Sequence, residues 1–330
     1  MSVPLWLWIA TIIGLLALIA IDLVIVDRKP HEVTTGEAAR WVIFYVSCAI
    51  LFGIGVFYFA GHEPGVEFFT GYITEYSLSV DNLFIFMIVM ASFKVPAIHQ
   101  HRVLLVGILL ALVMRSAFIA VGAALIAQFV WVFFLFGAVL VWTAISMVRG
   151  TDKEDEEYQE NAATRLVRRV FPVTENYHGH KSFVRKTGKL WITPMFVVIV
   201  AIGSADLLFA VDSIPAIFGI TQEPFLVFTA NAFALMGLRQ LYFLIGGLVT
   251  KLVYLSYGLA VILGFIGAKL FLHALHEYHV VPDWLDVNNW VSLGFIVVVL
   301  TITTLASLAK AKRTESLRIA DLARAGQAGS

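Results

Sequence analysis

A chain of 330 residues that is 60% apolar and only 14% charged is suited to lipid rather than water, since soluble domains carry about 25% charged residues. Its formal net charge of zero gives no basis for nucleic-acid binding, and its single cysteine, Cys48, excludes a disulfide framework. No nucleophile–base pair or cofactor motif stands out, so an enzyme is not expected and no permanent cofactor is implied.

Apolar runs near the ~20-residue length of a membrane-crossing helix recur along the chain. They fall at residues 5–26, 41–60, 68–93, 103–127, 130–148, 191–220, 225–247, 252–272 and 290–309, which predicts an all-α polytopic membrane protein with about nine transmembrane helices. The first run lacks a basic leader and is followed by Asp27-Arg28-Lys29, the pattern of a signal anchor rather than a cleaved signal. Basic residues then alternate between the loops. One set of loops holds Arg28, Lys29, Arg40, Lys94, Arg102, nine Lys/Arg within 149–190, Lys251 and the tail from Lys310. The other set holds Glu63, Glu67, Glu223, Glu277, Asp283 and Asp286 and no Lys or Arg. The positive-inside rule places the N-terminus outside and the C-terminus in the cytoplasm of a plasma-membrane protein. Segment 149–190 opens acidic and turns basic, and reads as a solvated cytoplasmic loop with a short surface helix. His178 and His180 read as ordinary loop histidines, and the end after Lys310 as a frayed tail.

Two of the apolar runs carry carboxylates that are costly in lipid, about 2.5–3.5 kcal/mol each on insertion scales. Glu75 and Asp81 lie in the third run and Asp206 and Asp212 in the sixth, each pair six residues apart. Aligning the pairs also aligns Arg115 with Arg239 in the helices that follow. The chain therefore divides into two N-terminal helices (1–67), a three-helix unit (68–148), the cytoplasmic loop (149–190), a second three-helix unit (191–272), and an outer loop, last helix and tail (273–330). Three crossings are an odd number, so the second unit is inverted relative to the first. Inverted 3+3 repeats place their site where the units meet, near the bilayer midplane. Six residues of helix rotate by about 120°, so same-helix pairs diverge. Cross-unit pairs, Glu75 level with Asp212 and Asp81 level with Asp206, are the better ligand sets. Pro215 is expected to unwind the helix beside Asp212.

Four carboxylates against two guanidiniums leave −2 if all are ionised, which a divalent cation or bound protons balance. Hard oxygen donors without cysteine or histidine suit Mn²⁺, Mg²⁺ or Ca²⁺ better than Zn²⁺ or Cu⁺. The candidate metal site is thus Asp81, Asp212, Glu75 and Asp206, with Asn82 and Ser213 as auxiliary oxygens and Arg115 and Arg239 balancing charge. The plainer alternative is a structural ion-pair lattice of the same groups, with Asn82, Ser213, Asn231 and Gln240 bridging helices. Asp22 lies close enough to a helix end to reach the interface, and Lys269 is expected to snorkel outward. His273, His276 and His279 with Glu277 read as a wet outer loop. The oligomeric state is not legible.

The strings EYSLSVDNLF (75–84), FAVDSIPAIF (209–218), GLR (237–239) and YGLAVI (257–262), with the loop YHGHKSFVRKTGKLWITPMF, resemble the TerC/Alx family of integral membrane proteins, named for tellurium resistance. The likeness runs from the first helix to the last. It implies export of manganese, or a related divalent cation, across the bacterial inner membrane, with the repeat carboxylates as the metal site. It also implies a second possibility, because some relatives are linked to tellurite resistance or membrane-protein biogenesis. In one place the chain departs from the pattern: Gly203 stands where the family usually has Glu.

Overall fold

The computed structural model describes residues 3–26, 34–150, 162–245 apart from 175, 178, 180, 187 and 188, then 254–282 and 287–328. His178, His180, Lys251, Asp283 and Asp286 therefore lie outside the described residues, as does the side chain of Asp22. The elements in order are α1 (Leu5–Val26), α2 (Thr35–Phe59), α3 (His62–Ser92), α4 (Ala97–Gln128), α5 (Val132–Gly150) and α6 (Ala162–Val170). A hairpin of β1 (Phe183–Lys186) and β2 (Lys189–Ile192) follows, then α7 (Pro194–Phe218), α8 (Pro224–Met236), α9 (Leu238–Ile245), α10 (Leu255–Glu277) and α11 (Asn289–Ala328).

Among the described residues seven helices, α2 to α5, α7, α10 and α11, are long and apolar enough to cross a membrane, and α1 contributes a further apolar stretch at Leu5–Ile21. The molecule is an all-α polytopic membrane protein. The run expected to form one crossing at 225–247 is two helices, α8 and α9, parted at Gly237. Apolar side chains left outside the bundle, such as Ile43, Leu51, Val113, Trp142 and Ile302, are more than half exposed, a surface that only lipid covers without cost.

Helix starts follow local chemistry. Thr34 caps α2 by accepting a hydrogen bond from the Glu37 N–H at 3.3 Å, and Glu37 itself sits in the first turn, where the helix dipole favours an anion. Prolines occupy the opening turn of α7 and α8, where no intrahelical donor is lost. Pro215 behaves differently from the sequence expectation: α7 continues through it for another turn, and the Gly219 N–H closes that turn onto the Pro215 carbonyl at 3.0 Å. A proline so near the C-terminal end removes one bond without breaking the helix.

Four helices, α3, α7, α8 and α10, form the centre, and α8 is buried along nearly its whole length. In α3, α7 and α10, 56%, 50% and 56% of the apolar window is buried, against 22% in α2 and 17% in α11. α3 packs on α7 and α8, α4 on α7, and α5 along α10. The α5–α10 crossing is close because Gly137 faces Gly267: a Cβ on Gly137 would stand 3.0 Å from the Gly267 carbonyl oxygen.

Two segments are more ordered than the sequence indicated. α6 and the hairpin fold against the end of the bundle where α3 finishes and α7 begins. Tyr177 donates to the Phe93 carbonyl at 2.8 Å, and burial holds its phenol above the usual range. Thr193 donates to the Lys181 carbonyl at 2.7 Å. The tail expected to fray continues α11 to Ala328, consistent with a stretch rich in Ala, Leu, Lys and Arg and free of proline.

Candidate functional site

Arg115 is the hub. It projects from α4 and is 1% exposed. Its Nη1 donates to Glu75 Oε2 of α3 at 2.8 Å, while Nε and Nη2 grip the two Asp206 oxygens of α7, each at 3.2 Å. One guanidinium thus joins three helices, using the two-pronged geometry that matches a carboxylate. Asn231 of α8 donates to the same Glu75 Oε2 at 3.0 Å, leaving Glu75 Oε1 buried and without a hydrogen-bond partner.

Asp212 lies one and two-thirds turns beyond Asp206 on α7 and within coulombic reach of both Arg115 and Asp81. Asp81, in the second half of α3, accepts a hydrogen bond from Ser256 of α10 at 3.1 Å. The four acids expected from the sequence therefore sit around the contact of α3 with α7, with Glu75 and Asp206 sharing one counter-ion. Asn82 is buried on α3. Ser79 of α3 and Ser213 of α7 are also buried, and their hydroxyl oxygens, like Glu75 Oε1, have no hydrogen-bond partner. By contrast the hydroxyls of Thr70, Thr74 and Ser77 bond back to carbonyls of their own helix at 2.7, 2.8 and 2.6 Å. Among the described residues no three histidine, cysteine or acidic side chains converge closely enough to hold a metal ion in this arrangement.

Arg239 is equally buried but lies on α9, where it lines a small cavity with Tyr45, Ile19, Leu105 and Met236; the four acids are not part of that lining. The departure from the family pattern has a steric setting. A Cβ on Gly203 would meet Leu110 Cδ2 of α4 at 2.5 Å, so that position is filled from the neighbouring helix.

A second polar cluster was not read from the sequence. Near the start of α3, Glu67 accepts from Thr221 at 2.6 Å and from Asn289 at 3.0 Å. Lys269 of α10 donates to Asn289 at 2.8 Å and to Ser292 at 3.3 Å. Lys269 is 8% exposed, so it does not snorkel outward; partners on α11 hold its ammonium inside. Of the three histidines only His279 lies beyond the helix, in the turn that follows α10. His273 and His276 lie on the last turns of α10, and His273 pairs with Gln222 at 2.8 Å. The missed signal was the chance of a partner for Lys269 about 20 residues downstream, at Asn289.

Comparison with known proteins agrees with this architecture. The family model for the integral membrane protein TerC family matches residues 60–315. An uncharacterized membrane protein of Mycobacterium bovis is 47% identical over 92% of this chain and 79% of its own length. One from Myxococcus xanthus is 40% identical, covering 93% of each chain. An Escherichia coli protein, provisionally named membrane-bound redox modulator Alx, is 36% identical over 91% of this chain and 92% of its own. No solved structure matches. A family match over residues 60–315, the span from the start of α3 into α11, places the chain in the integral membrane protein TerC family.

Proposed function

We propose that this protein is a bacterial inner-membrane transporter that exports a divalent cation, Mn²⁺ being the best fit, through the contact of α3 with α7. The observation that carries the reading is the central cluster itself: Glu75 and Asp206 share one guanidinium, Asp212 and Asp81 lie beside them, and buried oxygens of Glu75, Ser79 and Ser213 are left without hydrogen-bond partners. A fold that needed only an ion-pair lattice gains nothing from unmatched anions in lipid. Asp81 and Asp212 serve as principal ligands, Glu75 and Asp206 as ligands or proton carriers, and Asn82 and Ser213 as auxiliary oxygens. Arg115 occupies the anionic site in the resting state, and the cation takes its place as the helices move.

The remaining parts fit that scheme. Counting α1 and the divided α8–α9 gives nine crossings, with the N-terminus outside and the C-terminus cytoplasmic. Exchanging α3–α5 with α7–α10 carries the α3–α8 contact into α4–α7 and the α5–α10 contact into itself, as an inverted repeat requires. Arg239, the expected mate of Arg115, balances charge from its own cavity. Alternating access then comes from one unit rocking against the other, with the cation and protons as the only small partners.

The test is Mn²⁺ flux in vesicles containing the purified protein. Asp81→Asn and Asp212→Asn should each abolish flux while the protein stays monodisperse and thermally stable. Unchanged flux in both variants removes those residues from the mechanism. One finding favours a second reading, a membrane assembly factor with structural ion pairs: no three-ligand cluster forms among the described residues in this arrangement. That reading predicts mild effects from both Asn variants and severe loss on removing residues 151–190. The redox role in the names of the Alx relatives has no dithiol couple to rest on, since Cys48 is the single cysteine.

A further inference from the structure

We propose that the outward face of α6 and the β1–β2 hairpin seats on anionic lipid headgroups of the adjoining leaflet. One side of this unit is fixed to the bundle. Thr164 is fully buried, the Arg168 guanidinium lies 5.6 Å from the centre of the Phe93 ring, and Phe183 meets Phe196 of α7 with ring centres 4.9 Å apart. These anchors, Phe93 and Phe196, mark where two membrane helices end, so the unit sits at headgroup depth rather than out in solvent.

The other side is apolar and basic at once. Leu166 and Val170, one turn apart, are 61% and 62% exposed, and Phe171 is 43% exposed. Arg165 and Arg169 flank them on α6, and both are exposed. Large apolar side chains between arginines are poorly suited to water. They match the boundary of a bilayer, where the apolar groups enter the acyl region and the guanidiniums reach phosphates. Charge selects the lipid: residues 162–193 hold Arg165, Arg168, Arg169, Lys181, Arg185, Lys186 and Lys189 against one acid, Glu175. Each such cation near an anionic surface contributes on the order of 1 kcal/mol. The face is also continuous with the lipid-covered flank of the bundle through Phe196.

The experiment is hydrogen exchange of the full chain in nanodiscs of phosphatidylcholine alone and of phosphatidylcholine with one-third phosphatidylglycerol. Amides of 163–171 should exchange about tenfold more slowly with the anionic lipid. The triple variant Arg165→Gln/Leu166→Ser/Arg169→Gln should lose that difference while the amides of α3 and α7 keep their protection. Equal exchange in both lipids overturns the proposal, as does a difference that survives the triple variant. Protection independent of lipid but lost when the acids of 152–160 are neutralised would make the chain's own acidic segment the occupant, which also overturns it. The readout needs no transport and stands whatever the flux assay gives.

Discussion

Arg115 holds two carboxylates that would otherwise face each other unscreened, and this sets the cost of removing it. Arg115→Met leaves Glu75 and Asp206 buried without a counter-ion, a loss of about 3–5 kcal/mol. Thermal unfolding in detergent should show a large drop in midpoint. Arg115→Lys should recover only part of it, because a single ammonium cannot grip both Asp206 oxygens and also reach Glu75. At Gly203 the obstacle is space. Gly203→Glu should destabilise by about 1–3 kcal/mol, and Leu110→Ala in the same chain should recover part of that by vacating the position. At this scale the sequence was most informative where chemistry was most expensive: acids in lipid demand explanation, and all four lie around one helix contact. Helical period gives the face of a residue but not which distant helix reaches it. That is why Arg115 and Arg239 looked equivalent, and why Lys269 was taken for a residue that escapes to water.

Among the elements, the α5–α10 pair has the least tolerance. Gly137→Leu would drive a side chain into the Gly267 carbonyl, so it should cost about 1–3 kcal/mol and lower the unfolding midpoint, whereas Gly14→Ala, with open space at its Cβ, should not. Element positions were largely legible from apolar runs, because membrane length is a strong constraint. The division of α8 from α9 was not, although Gly237 marks it, since a glycine inside an apolar run is common in membrane helices. The hairpin has a sequence signal: FVRK and KLWI are separated by only two residues, one of them glycine. In a chain this apolar, four-residue strands are easily passed over.

For the molecule as a whole, the separation of basic from acidic ends makes a topological prediction. In a Cys48→Ser background, Glu63→Cys should react with an impermeant maleimide on intact cells, and Lys181→Cys only after lysis. The reverse pattern would invert the orientation and with it the direction of the proposed transport. At the acidic end Glu67, Thr221, Asn289 and Lys269 tie α3, the end of α7, α10 and α11 together. The Arg115 clasp, deeper in, ties α4 to α3 and α7. A sliding of the halves past each other must pull a doubly held guanidinium off its anions in surroundings that offer no water to soothe them. In the proposed transport cycle an arriving dication stands in for it, and an empty pocket cannot. Under the same proposed cycle, a protein without cargo is thereby kept shut by its own arithmetic of charge.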